Sequence, residues 1–176
     1  NALNLWRTVQ DYGVTWFTAV PTMHQALLSR ARSTQRSAAQ EVPYPGLRFI
    51  RSCSASLPPA TILEMEERFG VPVLEAYGMT EASHQMSSRP MPPGNRIPGT
   101  VGHATGVEIA IMDMEANGDL QQIGDVGEIV IKGENVMHGY NNNPEANAEA
   151  FVHGWFPTGD QGFLNSDNYV TLTGRI

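Results

Sequence analysis

Val73-Leu74-Glu75-Ala76-Tyr77-Gly78-Met79-Thr80-Glu81 reads as an apolar strand running into a glycine-containing turn that carries a hydroxyl and a carboxylate. Ahead of it, Pro58-Pro59 opens a helix on which Ile62, Met65 and Phe69 share one face, and Gly70 stops it. Further upstream the same alternation repeats. Leu5, Val9 and Tyr12 fall at helical spacing, Thr15 to Val20 is rich in strand formers, and Met23, Leu27 and Ala31 continue as a helical face after Pro21. Leu47 to Ser54 returns as a strand, behind a polar stretch from Arg32 that ends in the loop signal Pro43-Tyr44-Pro45-Gly46. Strands alternating with helices predict a parallel α/β layer.

From Ser87 to Gly102 the composition shifts to Pro90, Pro92, Pro93, Gly94, Pro98 and Gly99, which marks a boundary. Beyond it, Val107 to Met112, Glu128 to Lys132 and Tyr169 to Thr173 read as strands, Asn117-Gly118 as a hairpin turn and Pro144 to Ala150 as a short helix. The expected organisation is an α/β subdomain over residues 1–92 followed by a small β-barrel-like subdomain over residues 93–173.

The chain has 176 residues, 41% apolar and 16% charged, which suits a soluble globular piece with a sizeable core. Eleven basic against eighteen acidic residues give a net charge of −7 without a Lys/Arg cluster, which argues against nucleic acid or anionic membrane as a partner. No apolar run approaches the ~20 residues of a spanning helix, and no signal-peptide pattern is present. The single cysteine, Cys53, excludes an internal disulfide and points to a reducing compartment; on a strand face with Phe49 it is expected to be buried packing. The five histidines lack metal-ligand spacing and companion cysteines, so zinc is not expected.

Thr80 and Glu81 sit where backbone donors and a hard cation can meet phosphate. Trp155-Phe156-Pro157-Thr158-Gly159-Asp160 supplies a second carboxylate. An ionised carboxylate only accepts hydrogen bonds, so Asp160 suits sugar hydroxyls and Glu81 suits metal.

With Arg51-Ser52-Cys53-Ser54-Ala55-Ser56-Leu57-Pro58-Pro59, Pro98 to Gly102, Gly127 to Gly133, Gly139 to Glu145 and Gly174-Arg175 in the same order, the chain resembles the adenylate-forming superfamily of acyl-CoA synthetases, luciferases and peptide-synthetase adenylation domains. The resemblance covers nearly the whole chain and implies the distal part of that superfamily's large domain, with the interdomain hinge beginning at residues 174–176. Members also carry a phosphate loop with a Lys upstream and a mobile C-terminal domain with a catalytic Lys downstream. Neither is in this sequence, so the chain is expected to be a segment lacking its N-terminal part and that mobile domain.

The resemblance implies that Thr80 holds the α-phosphate of ATP and Glu81 ligates Mg²⁺. It places Tyr77 against adenine with Gly78 letting the backbone approach the base, counts Met79 among the nucleotide-binding residues, and puts Asp160 on the ribose and Arg175 beside it, with CoA as co-substrate. Bland alternatives are Thr80 as a helix cap and Tyr77 as a strand-end core residue. Ser52, Ser54 and Ser56 alternate along the expected strand, and a polar stripe implies a polar acid. Their segment, with Leu74 to Met86, most closely resembles the oxalate-CoA ligases of plants and fungi, in which the distal carboxylate of oxalate needs donors such as Ser54, Ser56 and a protonated His84. Alternatively the serines bond their own strand and His84 packs on the loop. Gly78 departs from the Ala expected in close relatives, a sterically conservative difference.

The function implied is an ATP-dependent acid-CoA ligase working through an acyl-adenylate, with the isolated segment inactive. Another acyl- or aryl-CoA ligase, a carrier-loading adenylation domain or a non-catalytic nucleotide-binding fragment are the alternatives. A cytoplasmic location is expected, with the peroxisome as the other choice.

Overall fold

The computed structural model describes residues 4–33, 46–113 and 118–176. The chain divides into two compact units, Asn1–Ala76 with Pro90–Gly99, and Tyr77–Arg89 with Thr100–Ile176. The loop expected up to Pro45 and the Asn117 half of the expected hairpin turn lie outside the described residues.

In the first unit, α1 (Leu5–Asp11), β1 (Trp16–Ala19), α2 (Pro21–Ser33), β2 (Phe49–Ser52), α3 (Pro59–Phe69) and β3 (Val73–Tyr77) follow in order. β1 pairs with β2 and β2 with β3, both parallel, as the alternation predicts. Proline at the first turn starts α3, and Gly70 ends it at φ 68°, donating its N–H to the Glu66 carbonyl. Ile62, Met65 and Phe69 are buried against Leu27, Leu28, Ile50 and Val73. Glu66 also accepts the Val73 N–H at 2.8 Å and pairs with Arg96 at 3.2 Å, tying the Pro90–Gly99 segment to this unit.

Two readings shift here. The buried face of α2 is His24, Leu27 and Leu28 with Ala31 partly covered, while Met23 is exposed. β2 stops at Ser52, and Ser54 takes φ 73°, a left-handed conformation. The strand therefore does not carry Ser52, Ser54 and Ser56 on one face: Ser52 is buried, and Ser54 and Ser56 are exposed in the loop beyond it. Cys53 is buried past the strand end, its Sγ 3.4 Å from Thr18 Oγ1.

The second unit holds β4 (Ser87–Ser88), β5 (His103–Ala104), β6 (Glu108–Met112), β7 (Gly127–Lys132), α4 (Pro144–Glu149), β8 (Phe156–Leu164) and β9 (Val170–Arg175). β4 and β5 pair antiparallel. β6, β7, β8 and β9 form an antiparallel sheet in that order, over a core of Met86, Ile111, Ile129, Ile131, Phe156 and Val170. No closed barrel forms among the described residues. α4 is capped by Asn143, whose Oδ1 accepts the Ala146 N–H at 3.1 Å. No helix among the described residues is long and apolar enough to cross a membrane.

His24 gives the first unit an acid limit. It is fully buried, with Nε2 3.1 Å from the Ala19 carbonyl. Burial is the largest influence and pushes its pKa below the ordinary 6.5, against smaller upward contributions from backbone hydrogen bonds to Ala19 and Arg51. Below pH 6.5 the unfolded chain takes up a proton that the folded chain still refuses, so stability is lost as pH falls from 6.5 toward the folded value. Urea unfolding from neutral pH to about 5.5 is expected to show this slope, and His24→Gln to flatten it; an identical slope in the variant would assign the acid sensitivity to other groups.

Candidate functional site

Three sequence-predicted residues of the second unit are joined by hydrogen bonds. The Tyr77 hydroxyl donates to Asp160 Oδ2 at 2.7 Å, and Arg175 donates from a terminal guanidinium nitrogen to Asp160 Oδ1 at 2.9 Å. Asp160 and Arg175 are register partners on β8 and β9, which is why the second contact forms across the sheet. Asp160 is largely covered, 17% exposed, while the Arg175 side chain is 73% exposed. Tyr77 is buried, and that burial, more than any neighbour, raises its phenol well above the ordinary 10.0; a Thr158 hydrogen bond lowers it and Asp160 raises it further. The phenol therefore stays a donor, and the carboxylate keeps lone pairs on both oxygens.

The stretch of β8 around Asp160 is fixed from β7. Buried Thr158 donates to the Ile129 carbonyl at 2.7 Å and accepts the Asp160 N–H at 3.2 Å. Glu128 Oε1 accepts the N–H of Gly159 at 2.9 Å, and Gly159 itself has φ 72°. Glu128 was not singled out from sequence, where it is one acidic residue ahead of the apolar run Ile129-Val130-Ile131.

Thr80, Glu81 and Ala82 form a single 3-10 turn preceded by extended Met79. Ser83 and His84 follow with φ 52° and 84°, and the chain closes back through His84 N–H to the Met79 carbonyl, 2.9 Å, and Met86 N–H to the Tyr77 carbonyl, 2.9 Å. Thr80 is exposed, and no side-chain hydrogen bond caps the turn. The closure leaves no room at Gly78, where a Cβ would overlap the carbonyl of His84. Gly78 is thus required by this backbone, and Ala there is not the conservative exchange expected from sequence.

Glu81 has a partner that the sequence did not announce. The Tyr140 hydroxyl donates to its Oε1 at 3.2 Å; partial burial first, then the Glu81 charge and hydrogen bond, push the Tyr140 phenol above its ordinary value. No cluster of three or more His, Cys, Asp or Glu suited to a metal occurs among the described residues. A lone carboxylate in a tight turn fits magnesium, a cation commonly held by one or two carboxylates with substrate phosphates and water completing its shell.

The acid-binding candidates divide between the units, Ser54 and Ser56 in the first and His84 in the second, all exposed. Ser54 lies 3.7 Å from Cys53 Sγ through its Oγ. Their loop is pinned by buried Glu75, whose Oε1 accepts the Leu57 N–H at 3.1 Å.

The family model described as "AMP-binding enzyme" matches residues 1–141. The chain is 50% identical over 177 aligned residues to an oxalate-CoA ligase of Arabidopsis thaliana, covering 100% of this chain and 33% of that protein. It is 47% identical over 173 residues to an oxalate-CoA ligase of Saccharomyces cerevisiae, covering 97% and 30%. The chain thus spans about a third of the length of these curated relatives. The crystal structure of ATP-bound MatB from Rhodopseudomonas palustris superposes with a TM-score of 0.84 at 33% identity, covering 99% of this chain and 33% of that one.

Gly78→Ala is expected to destabilise the second unit by about 1–3 kcal/mol, since the carbonyl of His84 must give way and with it the left-handed pair Ser83-His84. Thermal unfolding reads this directly. A melting temperature equal to that of the unsubstituted protein would mean that the turn accommodates a methyl group without strain.

Proposed function

Because the chain belongs to the AMP-binding enzyme family, we propose that it forms the adenine, ribose and acid-binding part of an ATP-dependent acid-CoA ligase that acts through an acyl-adenylate, with oxalate as the acid. The observation that carries this is the Tyr77–Asp160–Arg175 cluster, which holds one acceptor-only carboxylate between a neutral and a charged donor. Such a group accepts both hydroxyl protons of a ribose, whereas free phosphate oxygens are repelled by it.

In this reading Asp160 takes the ribose hydroxyls and Arg175 adds a donor beside the sugar. Tyr77 fixes the carboxylate and, with Gly78 and Met79, bounds the adenine. Thr80 offers its exposed hydroxyl to the α-phosphate. Glu81 would hold magnesium, which when bound neutralises charge on the phosphate oxygens. The acid's carboxylate attacks the α-phosphorus, pyrophosphate leaves, and the CoA thiol then displaces AMP from the acyl group. The protein's part is alignment and charge stabilisation, for which fixed donors are suited.

The acid is assigned to His84 of the second unit, and Ser54 and Ser56 of the first unit are proposed separately as acid-binding residues. Oxalate keeps a second carboxylate after the first has reacted, and that group needs charge-assisted hydrogen bonds. The complete ligase, acting in the cytoplasm or alternatively the peroxisome, supplies an upstream phosphate loop and a mobile domain after the hinge at 174–176. In this reading the segment alone does not turn over.

Acid-dependent pyrophosphate exchange and thioester formation on the full-length ligase test the reading. Oxalate with CoA as acceptor supports it, and a preference for apolar acids would move it to another acyl- or aryl-CoA ligase. Asp160→Ala is expected to weaken ATP and AMP alike, because the sugar is present in every state. Glu81→Gln is expected to slow adenylation more than it weakens AMP. An intact first half-reaction in Glu81→Gln would remove the metal role.

His84→Ala is expected to cost on the order of 2–3 kcal/mol in kcat/KM for oxalate while a short monocarboxylate is affected far less. Equal losses for the two acids would reduce His84 to a support of the turn.

A further inference from the structure

Besides its own backbone closure, the Glu81 turn is held by four hydrogen bonds with the chain that follows β7. Asn135 Nδ2 donates to the Ala82 carbonyl at 3.1 Å, and its backbone carbonyl accepts the Ser83 hydroxyl at 3.0 Å. The Met137 N–H donates to the Glu81 carbonyl at 2.7 Å. Tyr140 then reaches the Glu81 carboxylate itself at 3.2 Å. A three-residue turn followed by two left-handed non-glycine residues does not persist through its own hydrogen bonds, and surrounding structure must over-determine it.

Tyr140 is unusually well fixed for a residue that remains 38% exposed. One side-chain amide, that of Asn147, accepts the Tyr140 N–H at 2.6 Å and donates to the Tyr140 carbonyl at 2.9 Å. The preceding Gly139 has φ 150°, and a Cβ there would press into the same amide at 2.8 Å. The backbone of Tyr140 is thus clamped on both sides, and the clamp aims its hydroxyl. Asn135 shows comparable commitment: its donor end serves the turn while its Oδ1 is buried without a hydrogen-bond partner among the described residues. Keeping an amide there at that desolvation cost is explained by what its nitrogen holds.

We propose that Tyr140 and Asn135 are positioning residues for Glu81: Asn135 fixes the backbone of the turn, and the Tyr140 hydroxyl orients the carboxylate by occupying Oε1, leaving Oε2 directed to a divalent cation. The inference rests on the magnesium role proposed above for Glu81. Carboxylates that ligate metals are themselves hydrogen-bonded as a rule, and loss of such an outer partner weakens metal affinity without removing the ligand.

The test uses the full-length ligase and the isosteric Tyr140→Phe, which keeps the ring and deletes only the donor. Mn²⁺ is titrated into the ATP complex without acid, free Mn²⁺ being read by electron paramagnetic resonance, and AMP affinity is measured without metal. Tyr140→Phe is expected to weaken Mn²⁺ binding about tenfold and to raise the half-saturating Mg²⁺ for pyrophosphate exchange by a similar factor, with AMP affinity unchanged. Asn135→Ala is expected to act in the same direction. In Glu81→Gln the further change to Tyr140→Phe should add nothing, because the two act through one carboxylate.

Unchanged Mn²⁺ affinity in Tyr140→Phe, beside a clear loss in Glu81→Gln, would overturn the positioning role and leave the metal role standing. Unchanged Mn²⁺ affinity in Glu81→Gln would overturn both. Equal losses of Mn²⁺ and AMP affinity in Tyr140→Phe would also overturn the proposal, since they would report a general loosening of the turn.

Discussion

The hydrogen bond from the Tyr77 hydroxyl to Asp160 joins positions 83 residues apart, and much of the second unit is arranged so that it can form. Tyr77 enters at the end of β3 as part of the buried cluster that also holds Ala82, Met86, Val107 and Ile129. Asp160 is brought up by β8, whose Thr158 and Gly159 are bonded to β7. A buried phenol needs an acceptor, and a largely covered carboxylate needs donors, so each group answers the other's desolvation cost. Removing either partner leaves a polar atom stranded beside an apolar core.

A second constraint is steric. Gly78 lets the turn fold back until the carbonyl of His84 occupies the space a side chain would need. That closure forces Ser83 and His84 into left-handed conformations, and Asn135, Met137 and Tyr140 supply the outside contacts that hold them there. The sequence element that gives the site its shape is therefore a missing methyl group, and its stability is supplied by residues more than fifty positions later.

The first unit was legible because its signals are local. Proline at the start and glycine at the end of α3, with apolar residues at helical spacing between them, are the physical causes of that helix and can be read directly. The face of α2 was misread by one position because His24, a polar residue, is buried where Met23 was expected. β8 was not recognised as a strand: Pro157, Gly159 and Gly162 interrupt its pattern, and pairing with β7 and β9 through register shifts overrides their poor strand propensity. The expected serine stripe failed for a related reason, since the left-handed Ser54 ends an alternation that sequence alone would continue. Tyr140 and Asn135 had no local signal at all, because what distinguishes them is only where the fold takes them.

Asp160 and Glu81 stand in different environments, and the two roles proposed for them follow from that difference. Asp160 receives a neutral and a charged donor, one on each oxygen, and the guanidinium beside it makes a second cation there unfavourable. Among the described residues Glu81 receives a single neutral donor on Oε1, and Tyr140 adds direction without adding positive charge. A carboxylate already balanced by a cation remains useful as a fixed acceptor for hydroxyl groups, whereas one oriented by a neutral phenol keeps its full charge for a metal. Exchanging the donors, a cation at Glu81 and only a phenol at Asp160, would therefore be expected to exchange the affinities as well, and this follows from the charge of the neighbours rather than from any difference between aspartate and glutamate.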